Sequence, residues 1–143
     1  MTVPDLSIAE YRALAEFRFE IRRFLQFSVE AARAHGLEPQ QHQLLLAIKG
    51  MPEGRRPTIG ELAERLQIQP HSAVELVNRS VEHGSIRREQ AGEDRREVLI
   101  RLTRRGEALL RRLSIAHHAE LETTGPVLAK ALNTAIRRKG RAA

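Results

Sequence analysis

The 143-residue sequence has no cysteine, which excludes disulfides, thiolate metal sites, cysteine nucleophiles and thiol redox sensing. It has no apolar run near the roughly eighteen residues a membrane helix needs. Its start, MTVPDLSIAEYR, lacks the charged-then-apolar order of a signal peptide, so a cytoplasmic location is expected. No nucleotide-binding glycine loop, nucleophile elbow or HExxH is present, and the acids are dispersed among arginines, so no enzymatic activity is expected. Repeats and low-complexity segments are also missing.

Lysine is scarce as well: only Lys49, Lys130 and Lys139 accompany the arginines within a basic total of 24 against 18 acids, a net charge of +6. Such a balance suits a polyanionic partner, although a GC-rich genome also replaces lysine by arginine. The distribution is more informative than the sum. Nine arginines lie from Arg87 to Arg112 among only five acids. All five aromatic residues fall in one segment, from Tyr11 to Phe27.

Hydrophobic residues make up 41% of the chain, enough for a core. Gly36, the GMPEGRRP stretch at 50–57, Gly84, Gly92 and Gly125-Pro126 cut it into mostly helical pieces. A first helix over about 7–34 carries Leu14, Phe17, Ile21, Phe24 and Leu25 at helical spacing, with Phe19 and Phe27 on the opposite side. Two apolar faces need two partners, either its own chain and a second copy or a larger core. Pro39 and Gly50 bracket a second helix over 39–49. Thr58-Ile-Gly-Glu61 has the form of a reciprocal capping box and opens a third, over 59–67. Pro70 and Gly84 delimit a fourth.

Two short helices joined by about three residues form a helix-turn-helix. Strands SIRRE and EVLIRL follow at once, with Val98, Ile100 and Leu102 expected inward and Glu97, Leu99 and Arg101 outward. That order is a winged helix. Thr103 is expected to cap a long helix with Leu109, Leu110, Leu113, His117 and Leu121. Gly125-Pro126 is expected to break it before a last helix with Val127, Leu128, Leu132 and Ile136, and a basic tail RRKGRAA follows.

With those residues in view, the chain resembles the MarR family of bacterial transcription regulators. The matching stretches are GLEPQQHQLLLAI, TIGELAERLQI, SAVELVNR and EDRREVLIRLTRRGEALL, the last with an Asp-x-Arg wing tip followed by LT-x-x-G. Helix order agrees over about residues 8–138. The expected fold is therefore mainly α, a winged helix-turn-helix of three helices plus a β-hairpin wing, flanked by N- and C-terminal dimerisation helices. The expected division is a dimerisation helix over 1–36, the winged unit over 37–103 and dimerisation helices with the tail over 104–143. The resemblance implies a homodimer on a pseudo-palindromic operator, usually a repressor, and a small organic ligand bound near the dimerising helices. The family carries leucine-like residues where this chain has Ser80 and Ser85, implying weaker apolar packing between recognition helix and wing. Asn78 stands where aspartate is common.

A helix fits the major groove and presents its N-terminal half to base edges. Gln69, His71, Ser72, Glu75 and Arg79 are the expected readers, while Ala73, Val74, Leu76 and Val77 are assigned to packing. Ser72-x-x-Glu75 also reads as a capping box, in which Glu75 only satisfies backbone donors. At the wing, Arg96 is expected in the minor groove, aimed by Asp94, with Arg95 and Arg88 on nearby phosphates. By itself such an ion pair in a turn contributes about 0 to 1 kcal/mol; behind a helix-turn-helix it reads as a DNA contact. His117 and His118 fall on different helical faces and no cysteine assists, so neither metal nor cofactor is expected. Phe24, His42 and His117 are read instead as lining a small-molecule pocket or a dimer seam. Two other readings remain open, a winged-helix module that binds protein and a sequence-tolerant architectural DNA binder.

Overall fold

The computed structural model describes residues 5–92 and 96–137. Its elements are α1 (Ile8–Ala34), α2 (Pro39–Lys49), α3 (Ile59–Leu66), α4 (Pro70–His83), β1 (Ile86–Gln90), β2 (Val98–Leu102) and α5 (Arg104–Ile136). They group into two units, Ala31–Ser114 and Met1–Glu30 with Ile115–Ala143, here the winged and the helical unit.

The winged unit is built on local stop and start signals that the sequence makes explicit. Gly36, at φ 76°, lets the Leu37 N–H reach back to Ala32 O at 3.0 Å and ends α1. Pro39 then opens α2, and the Gln41 side chain accepts the orphan Glu38 N–H at 2.9 Å. Thr58 caps α3 by accepting the Glu61 N–H at 3.2 Å. The reciprocal half of the expected capping box is not formed. Thr58 N–H goes to Arg56 O at 2.8 Å, and the Glu61 carboxylate takes Arg55 instead, at 3.2 Å.

Leu44, Leu45 and Ile48 of α2, Leu62 of α3, Leu76 and Val77 of α4, Ile86 and Ile100 of the hairpin and Leu110 and Leu113 of α5 bury together. Each such side chain contributes about 1.5 to 3 kcal/mol of transfer free energy, which holds the three helices and the hairpin as one body. The strands pair antiparallel in the register Ile86↔Leu102 to Gln90↔Val98. Leu99, expected to face outward, is buried along with Ile100. It shares its face with Glu89, its cross-strand partner, and with Arg101, whose ion pair with Glu89 at 2.9 Å runs diagonally over that face.

Ser80 and Ser85 are both fully buried. The Ser85 N–H and hydroxyl donate to Ser80 O at 3.1 and 3.2 Å, so a polar tie stands where leucine packing was expected to be weak. The same turn meets α5. Thr103 hydroxyl donates to Gly84 O at 2.6 Å and accepts from Gly106 N–H at 3.1 Å, while Thr103 N–H donates to Ser85 O. Gly106 lies so close that a Cβ there would stand 2.0 Å from Ser85 O. The LT-x-x-G motif is thus a cap followed by a backbone contact that admits no side chain.

In the helical unit Ser7 and Glu10 form a full capping box, each side chain accepting the other's N–H at 3.1 Å. The expected break at Gly125-Pro126 does not occur, and α5 runs through Pro126. Proline removes one intrahelical bond and crowds the carbonyl a turn earlier. The residues after it, however, keep Ala131 buried and, with Ala13 and Glu16 of α1, line a groove of about 310 Å³ through Val127, Lys130 and Thr134. Abandoning the helix there would surrender that packing.

Candidate nucleic-acid interface

Helices α3 and α4 are joined by Gln67–Gln69, with Gln67 in the left-handed conformation at φ 57°. Ala73, Leu76, Val77 and Ser80 anchor α4 in the core. Helical periodicity then leaves His71, Val74, Glu75, Asn78 and Glu82 on the exposed face. Gln69 is exposed at the N-cap position, and Ser72 is partly buried in the first turn. Because the N-cap is Gln69, Ser72 and Glu75 form no capping box and Glu75 stands free of that role. Val74, assigned to packing by its chemistry, is 42% exposed. Counting three from His71 and four back from Asn78, both exposed, places it on the outer face.

The arginines near α4 are held by partners within the unit. Arg79 Nε donates to Glu38 Oε2 at 3.2 Å, tying α4 to the start of α2. Arg88, on β1, donates to Asn78 Oδ1, tying the wing to α4. Arg56 reaches Glu97 at 2.7 Å, and Ile100 N–H donates to Pro57 O at 2.9 Å, so the segment before α3 secures β2. Glu38 and Arg56 do not stand out as site residues in the sequence, since each acts only through a residue 41 positions away. Glu89 is held below the ordinary glutamate range, first by its hydrogen bond from Arg101 and then by the charges of Arg87 and Arg101. Arg96 is exposed beside β2; Asp94 and Arg95, and with them the expected fork pair, lie outside the described residues.

Of the expected pocket residues, Phe24 and His117 meet in the helical unit, edge to face with ring centroids 5.9 Å apart. Phe27 approaches the same imidazole at 5.1 Å, and His117 Nε2 lies 2.9 Å from the Ser28 hydroxyl. His42 belongs to the winged unit, where it is buried with Nδ1 3.3 Å from Gln43 Nε2. Among the described residues no cluster of three His, Asp or Glu side chains is placed to hold a metal ion. Nor is any helix long and apolar enough to cross a membrane.

A helix-turn-helix closed by a two-stranded hairpin, with the hairpin bonded to its second helix, defines a winged helix-turn-helix protein. Residues 35–97 match the model of the MarR family, so this stretch is similar to the winged helix of that family. No curated protein matches the sequence. Among solved structures the chain is similar to AbsC, a MarR family transcriptional regulator from Streptomyces coelicolor, at 20% identity and a TM-score of 0.74 over 94% of each chain. It is similar to MarR from E. coli in its apo form, at 19% identity and a TM-score of 0.64 over 84% of this chain and 93% of that one. It is also similar to a MepR variant from S. aureus bound to an oligodeoxyribonucleotide, at 18% identity and a TM-score of 0.63 over 82% and 94%.

Proposed function

We propose that the protein is a sequence-specific double-stranded DNA-binding regulator, acting as a homodimer and most simply as a repressor. Each copy lays α4 in a major groove and its wing in the flanking minor groove, with half-sites about one helical turn apart. The observation that carries the reading is the exposed face of α4, fixed to the wing through Asn78 and Arg88 and to α2 through Arg79 and Glu38. Gln69, His71, Ser72, Glu75 and Arg79 serve the bases and adjoining phosphates. Arg88, Arg95 and Arg96 serve the backbone and minor groove, with Asp94 aiming Arg96. Residues 1–36 and 104–143 supply the dimerising helices around a winged domain of 37–103. A small organic effector that engages Phe24, His42 or His117 relieves binding; the aromatic seat of His117 between Phe24 and Phe27 supports this.

Fluorescence anisotropy against the gene's own upstream DNA and a shuffled duplex of equal composition, across a salt series, tests the reading. Selective and steeply salt-dependent binding is expected, and Arg96→Ala should flatten the salt slope by roughly one unit per half-site. Equal affinity for both duplexes would favour an architectural role, and no binding to either would leave a protein-binding module.

A further inference from the structure

The winged unit hides its large apolar side chains with two exceptions among the described residues, Leu46 on α2 and Val74 on α4. Val74 is the fifth residue of α4, one turn after His71 and one before Asn78, in the half of the helix that presents side chains to base edges. It is β-branched and 42% exposed, so neither helix propensity nor burial within its own unit accounts for it. Its neighbours show which part of DNA this spot meets. Glu75 beside it repels phosphate, Arg79 is drawn off to Glu38 of α2, and Arg88 is engaged by Asn78, one turn further along the helix. The first half of the face, through Glu75, therefore presents an apolar and an anionic side chain and no guanidinium of its own, an arrangement suited to base edges and not to backbone.

The 5-methyl of thymine is the one apolar group the four bases present in the major groove. We propose that Val74 is a specificity-determining residue that selects thymine at one position of each half-site by burying that methyl. This rests on the DNA-binding reading above. Val74 offers no hydrogen bond, so the discrimination is between thymine and any pyrimidine lacking the methyl.

The test begins with duplexes enriched by the full-length protein from a random library, in which each thymine is then replaced singly by deoxyuridine, removing only the methyl. The expected result is one symmetry-related pair of positions where deoxyuridine weakens binding, by about fourfold per half-site, the transfer free energy of one methyl group. In Val74→Ala that penalty should vanish at the same pair while other positions respond as before. Circular dichroism melting should show the variant as stable as the parent, because the side chain is exposed. Deoxyuridine tolerated throughout, or a penalty that persists unchanged in Val74→Ala, overturns the assignment while leaving DNA binding intact. Failure of any duplex to be enriched overturns the DNA-binding reading and this assignment with it.

Discussion

The two units of the chain solve the problem of apolar surface in opposite ways. Of the sixteen buried hydrophobic residues among the described positions, fifteen lie in the winged unit and only Ala131 in the helical one. Of the thirteen large apolar side chains left exposed, eleven lie in the helical unit, including Tyr11, Leu14, Phe19, Leu25, Ile115, Leu121 and Ile136. Large apolar side chains exposed in such number within one unit are the mark of a surface that meets a partner. The winged unit is closed by its own contacts, whereas the helical unit presents the surface of something yet to be completed. That contrast is the physical ground for reading the helical unit as the seat of a homodimer and the winged unit as the part that each copy carries to DNA.

The sharpest way to break the closed unit is Gly106→Ala. The added Cβ would lie 2.0 Å from Ser85 O and 3.0 Å from its carbonyl carbon, both backbone atoms that side-chain rotation cannot clear. Either α5 or the start of β1 must move, at a cost of about 3 kcal/mol. The helix propensity gained, about 1 kcal/mol, does not offset that. Urea denaturation should show the loss in midpoint; an unchanged midpoint would mean that the turn at Ser85 yields freely and that the winged unit is less tightly closed than its geometry says.

The open unit is broken from the other side. Leu25→Glu combined with Leu121→Glu puts charge on side chains that are 55% and 40% exposed in one copy. In the proposed homodimer each leucine forfeits about 1.5 to 3 kcal/mol on burial against a partner, so the dissociation constant of that dimer should rise at least about a hundredfold in sedimentation equilibrium. Amides of α2 and α4 should keep their protection from hydrogen exchange, because the core of the winged unit is its own. A doubly substituted protein that still sediments as a dimer would place the second copy elsewhere.

The same contrast explains what is legible in the sequence. Within the winged unit the punctuation is local: Pro39, Thr58, Pro70, Gly84 and Thr103 each act on their own turn, and α2, α3 and α4 fall where those residues say. The expectations that fail depend on partners that residue type and periodicity do not specify. Leu99 is buried although its neighbours on that face, Glu89 and Arg101, are partly exposed, a fact that alternation alone does not carry. Glu61 leaves its cap for Arg55, and Pro126 stays helical because residues beyond it pack within the helical unit. Ser80 and Ser85, which by composition imply weakened packing, form a hydrogen-bonded turn with Gly106 set against it. Val74 is apolar, which suggests packing, yet its spacing puts it on the outer face, and spacing decides.

Ser80 gives a smaller effect, of opposite sign. Its hydroxyl is fully buried and has no hydrogen-bond partner among the described residues, while its carbonyl takes both donors of Ser85. An unsatisfied buried hydroxyl costs about 1 to 3 kcal/mol. Ser80→Ala removes that hydroxyl and leaves the carbonyl in place, so the unfolding midpoint should rise by the equivalent of about 1 kcal/mol. A fall instead would show that the hydroxyl finds a partner in solution, and that the closed core reserves a polar position there.

The smallest effect lies on the outer face of the wing, where the closed unit meets solvent. Glu89 is partly exposed, and its carboxyl is lowered first by the Arg101 hydrogen bond and then by Arg87 and Arg101 charge. A depressed folded-state value stabilises the fold above the ordinary glutamate range, and that contribution is lost as pH falls through the depressed value. Because solvent screens the pair, its weight in stability is slight, and the observable to follow is the titration itself. The side-chain carboxyl resonance of Glu89 should titrate below the usual glutamate range and return to it in Arg101→Gln. If the resonance titrates normally in the parent protein, the diagonal pair is not held in solution.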